Sequence, residues 1–104
     1  MTSPPTPKLR PMDATLDGYA WLPRMIDKSR ANRDGALASI AHPCPIDKRC
    51  LGRLGVEFST FTEIVASSAT DHEVLARLRW HGIASAGDAW FDAVAYEDEL
   101  QRAA

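Results

Sequence analysis

What most constrains this chain is the spacing of its apolar residues. They recur three and four positions apart in short runs, and the runs are punctuated by glycine, proline and serine. That period belongs to a helix with one buried stripe, and no segment has the convincing alternation of a half-buried strand. Leu22, Met25, Ile26 and Ser29 follow the i, i+3, i+4, i+7 pattern. They predict a first helix beginning between residues 19 and 22, with Pro23 in its first turn, where a missing N–H is harmless. Gly35 is its candidate stop. Ile46, Cys50, Leu51 and Leu54 predict the inner face of a second helix from Pro45 to Leu54, closed by Gly55. Phe58, Phe61, Ile64 and Val65 define a third, ending at Ser67 and Ser68. Thr70-Asp71-His72-Glu73 matches a capping box, and Val74, Leu75 and Leu78 then face inward up to Gly82. A weaker start signal at residues 85–88 predicts a last helix carrying Trp90, Phe91, Val94 and Ala95. Helices this short are marginal alone, so their stripes must bury one another. The expected fold is all-α, an irregular bundle of about five short helices.

The first residues set the other boundary. Pro4, Pro5 and Pro7 make residues 1–8 an expected disordered, proline-rich tail, leaving 9–104 as a single helical domain. Residues 8–18 read as extended or irregular, with Leu9, Met12 and Leu16 as anchors. Residues 36–41 fit either a helical turn or a short extended piece. The run His42-Pro43-Cys44-Pro45 must leave the helical region, because a residue before proline is pushed out of it.

Charge is unevenly divided. Nine basic and five acidic residues between Lys8 and Arg53 give about +4, whereas three basic and nine acidic ones from Leu54 onward give −6. Such polarity favours packing of one half on the other, or contacts between molecules. It argues against nucleic-acid binding, which calls for a basic stripe. No apolar run is long enough to span a membrane, and the N-terminus lacks the apolar core of a signal peptide. The two cysteines do not make a disulfide scaffold. The expectation is a cytoplasmic protein without a cofactor.

Two constellations exceed what folding requires. On the first helix, Trp21, Arg24, Met25 and Lys28 share a face beside the core stripe. Arg offers a planar fork for carboxylate or phosphate, Lys a point charge and Trp a flat wall for cation–π contact. Trp21, Arg24, Lys28 and neighbouring Tyr19 are therefore the ligand-binding candidates. The plainer alternative is that Arg24 and Lys28 bridge to acids of the C-terminal half, that Asp27 pairs locally with Arg24 or Arg30, and that Trp21 is core. The second constellation is Cys44, expected at an N-cap, where the helix dipole favours a thiolate. His42 is near enough in sequence to serve as its base, and Asp47 to orient that histidine. Cys44, His42 and Asp47 are the catalytic candidates, against the plainer reading of a small buried thiol and a dipole-favoured acid. His42, Cys44 and Cys50 also form a Cys/His group, but their spacing lacks the short paired knuckles of zinc sites, so no metal is expected.

These residues carry a resemblance. The run from Gly18 through Trp21-Leu22-Pro23-Arg24-Met25-Ile26-Asp27-Lys28-Ser29-Arg30 resembles the leading motif of a bacterial family of domains of unknown function, family 5069. Cys44-Pro45-Ile46-Asp47-Lys48-Arg49 is similar to its second signature, and Leu54-Gly55-Val56, Phe61, Val65 and the Thr70 box to its later helices. The likeness runs over residues 9–82 and implies a small, mostly helical fold with no activity attached. The segment after Gly82 reads as an addition that covers a pocket or forms an interface. From the residues, the leading expectation is a domain whose cationic helix and Cys-Pro turn line a cleft that binds, and in one form turns over, an anionic carboxylate-bearing small molecule. The competing expectation is a non-enzymatic interaction or homodimerisation module anchored by Trp90 and Phe91.

Overall fold

The chain enters its first helix through a hairpin that the helical spacing conceals. Asp17 and Gly18 both have positive φ, 51° and 88°. They close a two-residue turn of the kind that matches strand twist. Thr15–Leu16 (β1) pairs antiparallel with Tyr19–Ala20 (β2), Thr15 opposite Ala20 and Leu16 opposite Tyr19. A side chain at position 18 would be doubly disfavoured, since its Cβ would meet that of Ala86 at 3.3 Å. The computed structural model describes residues 8–37, 40–87, 90 and 92–103. The expected tail over residues 1–7, part of the 36–41 segment, Asp88 and Phe91 lie outside those residues.

Helix α1 runs Leu22–Arg33 and α2 Pro45–Leu54. Helices α3, α4 and α5 follow at Phe58–Ala66, Asp71–Trp80 and Ala93–Ala103. The caps explain the boundaries. Cys44 caps α2 with its thiol accepting from the Asp47 N–H, while Asp47 accepts from the Cys44 N–H. Gly55 ends the helix in the left-handed conformation, φ 80°. The Thr70 hydroxyl accepts from the Glu73 N–H as the capping box requires, but the Glu73 carboxylate reaches back to Ala69 rather than to Thr70 itself. The last helix is a correction. It begins at Ala93, capped by Asp92, whose carboxylate accepts from the Val94 and Ala95 N–H groups. Residues 85–87 precede it as irregular chain. Trp90 lies outside the helix, and Val94 and Ala95 face solvent while Ala93, Tyr96 and Leu100 pack inward.

The core forms where α1 and α4 both pack on α3, and α5 lies against α2. Leu22, Met25, Ile26, Phe61, Val74 and Leu78 are wholly buried there. The charge asymmetry resolves into a clamp. Arg10 bridges Asp27 on α1 (2.9 Å) and Asp71 on α4 (2.5 Å), and Arg30 joins Asp71 at 3.0 Å. Asp27 is thus held by Arg10 rather than by Arg24 or Arg30.

Candidate functional site

The site is organised by one carboxylate. Asp47 stands in the first turn of α2, where the helix dipole welcomes an acid, and it is fully buried. Its Oδ1 accepts from the Trp21 indole N–H at 2.7 Å. Its Oδ2 accepts from Lys28 Nζ at 2.6 Å and from the Cys44 backbone N–H at 2.9 Å, and meets His42 Nδ1 at 3.1 Å. An ionised carboxylate only accepts, so for a neutral ring the fitting tautomer carries its proton on Nδ1. His42 Nε2 then accepts from the Ser29 hydroxyl, 2.8 Å away.

Lys28 is only 2% exposed, although the helical wheel places it beside the core stripe rather than within it. Its Nζ is paired with Asp47 Oδ2 at 2.6 Å. Burial is the largest influence on Asp47 and works against its charge. The hydrogen bonds from His42, Lys28 and Cys44 outweigh it and hold the carboxyl well below the usual carboxylate range. Asp71 is lowered as well, chiefly by the hydrogen bond from Arg10. A depressed carboxylate contributes stability that is present above its unfolded pKa, near 3.9, and lost as pH falls through the folded value. The contribution of Asp47 and Asp71 should therefore stay level from neutral pH to about 5 and fall away below about 4. Urea denaturation at stepped pH checks this, and Asp71→Asn should remove part of the acid dependence.

Trp21 caps α1 in the left-handed region at φ 74°, where a bulky residue is strained. That backbone turns the indole to Asp47 and sets its ring under both cations, with Arg24 at 5.6 Å and Lys28 at 5.7 Å from the centroid. Next to this wall is a cavity of about 350 Å³. Trp21, Arg24, Lys28 and Cys44 all line it, with Met12, Ile40 and Ile46 as apolar wall and Glu97 and Leu100 of α5 as its far side. Arg24 gives one N–H to the Arg10 carbonyl at 3.1 Å, while its Nε is buried with no partner among the described residues.

The other candidates are placed differently. Tyr19 is a core residue and does not line this cavity: its hydroxyl donates to the Ala84 carbonyl at 2.6 Å and its ring meets Trp90 edge-on. The His42 side chain is wholly buried, and each ring nitrogen already has an oxygen partner, so neither is free to take a proton from Cys44. The Cys44 thiol is half-buried and engaged in the cap. Cys50 is buried, which pushes its thiol up and makes it inert. Among the described residues no group of three or more His, Cys, Asp or Glu side chains is placed to hold a metal ion. No helix among them is long and apolar enough to cross a membrane.

Three features escape the sequence pattern. Ser29 is a hydrogen-bond partner of His42 and not merely a small stripe residue. Helix α5 lines the cavity with Glu97, Leu100 and Gln101, residues that the expectation of a pocket-covering C-terminal segment does not single out. Trp90, an anchor with Phe91 only in the interaction-module reading, is partly buried and donates its indole N–H to the Ala20 carbonyl at 3.0 Å; among the described residues the exposed tryptophan is Trp80.

The family described as a domain of unknown function, DUF5069, matches residues 6–99. The chain belongs to that family. The match passes Gly82 and includes most of α5, so the C-terminal segment is part of the DUF5069 pattern and not an addition to it. No curated protein matches the chain.

Proposed function

We propose that the α1–α5 cleft of this DUF5069 protein binds a small organic acid with one carboxylate and an apolar body. The carrying observation is the unequal state of its two cations. Lys28 is neutralised by Asp47, whereas Arg24, in the same wall, keeps a buried Nε–H without a partner among the described residues. Arg24 is the anion's anchor, and a carboxylate against a guanidinium makes charge-assisted hydrogen bonds. Trp21, Ile40, Ile46 and Leu100 receive the apolar body. Binding is what this cleft supports. The Cys44 thiol shares it, but His42 offers that thiol no base.

A thermal-shift panel of benzoate, phenylacetate and hexanoate, each beside its amide, tests the reading. The acids should raise the melting temperature by mass action and the amides should not. Arg24→Gln should weaken acid binding about ten- to a hundredfold, the worth of a hydrogen bond to a charged group. Arg24→Lys should retain part of it. Equal shifts from acid and amide, or an unaltered Arg24→Gln, would refute it.

One observation favours a second reading. Trp80 is 86% exposed on α4 beside His81, and tryptophan is among the residues most enriched as interface anchors. It would make the domain a non-enzymatic interaction or homodimerisation module. Sedimentation at rising protein concentration separates self-association from a monomeric ligand binder.

A further inference from the structure

By spacing, Ser29 belongs to the buried stripe of α1, and it is 6% exposed. Yet its hydroxyl is the last member of a hydrogen-bonded chain. Ser29 Oγ is 2.8 Å from His42 Nε2, and His42 Nδ1 is 3.1 Å from Asp47 Oδ2. A second cavity, about 310 Å³, is lined by Ser29, Asn32 and Arg33 of α1 and by Thr62, Glu63 and Val65 of α3. It shares no lining residue with the Arg24 cleft. A network that only satisfies buried polar groups needs no opening at its hydroxyl end. This one ends at a residue that lines a cavity.

From this geometry we infer that Ser29, His42 and Asp47 form an acyl-transfer relay whose nucleophile is Ser29 and whose substrate is a small carboxylic ester held in the second cavity. Ser29 Oγ attacks the ester carbonyl while its proton passes to His42 Nε2. The bond from the carbonyl carbon to the alcohol oxygen then breaks, and the leaving alkoxide takes that proton. Water repeats the steps on the acyl-enzyme, giving its proton to His42 and releasing the acid as Ser29 is reprotonated. Asp47 touches no substrate. It is a positioning residue that accepts the Nδ1 proton, and Lys28, Trp21 and the Cys44 N–H fix its two oxygens. Asn32 and Arg33 lie three and four positions beyond Ser29 on the same helix and line the same cavity, although the Arg33 guanidinium is shared with Asp34 and the Ala66 carbonyl, which leaves Asn32 as the candidate oxyanion donor.

The test is covalent. The folded protein is treated with a fluorophosphonate, and the adduct is mapped by peptide mass spectrometry. A separate reaction follows the burst of p-nitrophenol from p-nitrophenyl acetate. One equivalent of adduct on the Ser29 peptide and a burst of matching size are expected. Both should vanish in Ser29→Ala, whose folding is checked by its melting temperature. His42→Gln should slow labelling at least about a hundredfold, the usual worth of a general base. Should that variant fail to fold, Ser29→Cys takes its place, with iodoacetamide alkylating the introduced thiol ahead of Cys44. Labelling at an unaltered rate in the presence of phenylacetate, the ligand of the other cavity, separates this relay from the organic-acid cleft. A native protein that neither labels nor bursts, or labelling that persists in Ser29→Ala, would overturn the inference.

Discussion

Lys28→Met should destabilise the protein by about 3–5 kcal/mol, the loss seen when one partner of a buried ion pair is removed. Lys28 is 2% and Asp47 0% exposed, and their atoms are 2.6 Å apart. Removing the ammonium strands a carboxylate that cannot reach water. Trp21, Cys44 and His42 still donate to it, but as neutral donors they do not replace the lost charge. A domain of this size has a total stability of about 5–15 kcal/mol, so such a loss consumes much of it. The melting temperature should fall by more than about 10 °C. Asp47→Asn makes the converse error, stranding the lysine and weakening the α2 cap. Combined with Lys28→Met, it should cost less than the sum of the two singles by more than about 1 kcal/mol, because each change removes the charge that the other left unpaired. Urea denaturation of all four proteins gives the coupling. Additive losses would mean that the two groups do not share a buried pair.

Phe61→Ala should cost about 3–5 kcal/mol through lost burial and the cavity left behind. Phe61 is fully buried on α3, the helix against which both α1 and α4 pack. Nine residues of α3 have little helical stability of their own, so packing holds them in place. Phe58→Ala is the comparison. Phe58 is only partly buried, at the start of the same helix, and meets the His42 ring edge-on at 4.9 Å. It should cost clearly less. A Phe61→Ala loss below about 1 kcal/mol would show that α3 is not the central support.

The same contrast explains what could be read from the sequence. Helix boundaries were legible where a cap is local. Pro45 with Cys44 before it, Gly55 after Leu54 and Thr70 before Asp71 all mark ends with residues a few positions apart. The last helix starts later than the spacing predicts because Asp92, its cap, is one of several acids in that stretch, and because the aromatic bulk at Trp90 mimics a helical face. Asp17-Gly18 signals a tight turn, but strands of two residues are too short to show alternation. The site divides along the same line. The wheel places Trp21, Arg24 and Lys28 on one face and all three line one cavity, since their proximity is local to α1. It gave no account of which cation is neutralised. Lys28 meets Asp47 across 19 positions, and Ser29 meets His42 across 13, and no periodicity encodes either pairing. Adjacency to Trp21 suggests Tyr19 for the site, whereas the hairpin points its hydroxyl to Ala84.

In the α1–α5 cleft Lys28 is paired with Asp47, while the buried Arg24 Nε has no partner among the described residues. Titrating ¹⁵N-labelled protein with phenylacetate, while following the arginine Nε–H and tryptophan indole signals, measures this directly. The Arg24 Nε–H and Trp21 indole resonances should move together and saturate, with the Trp80 indole, far out in solvent, staying still. Movement of the Trp80 signal with Arg24 and Trp21 unchanged would contradict it.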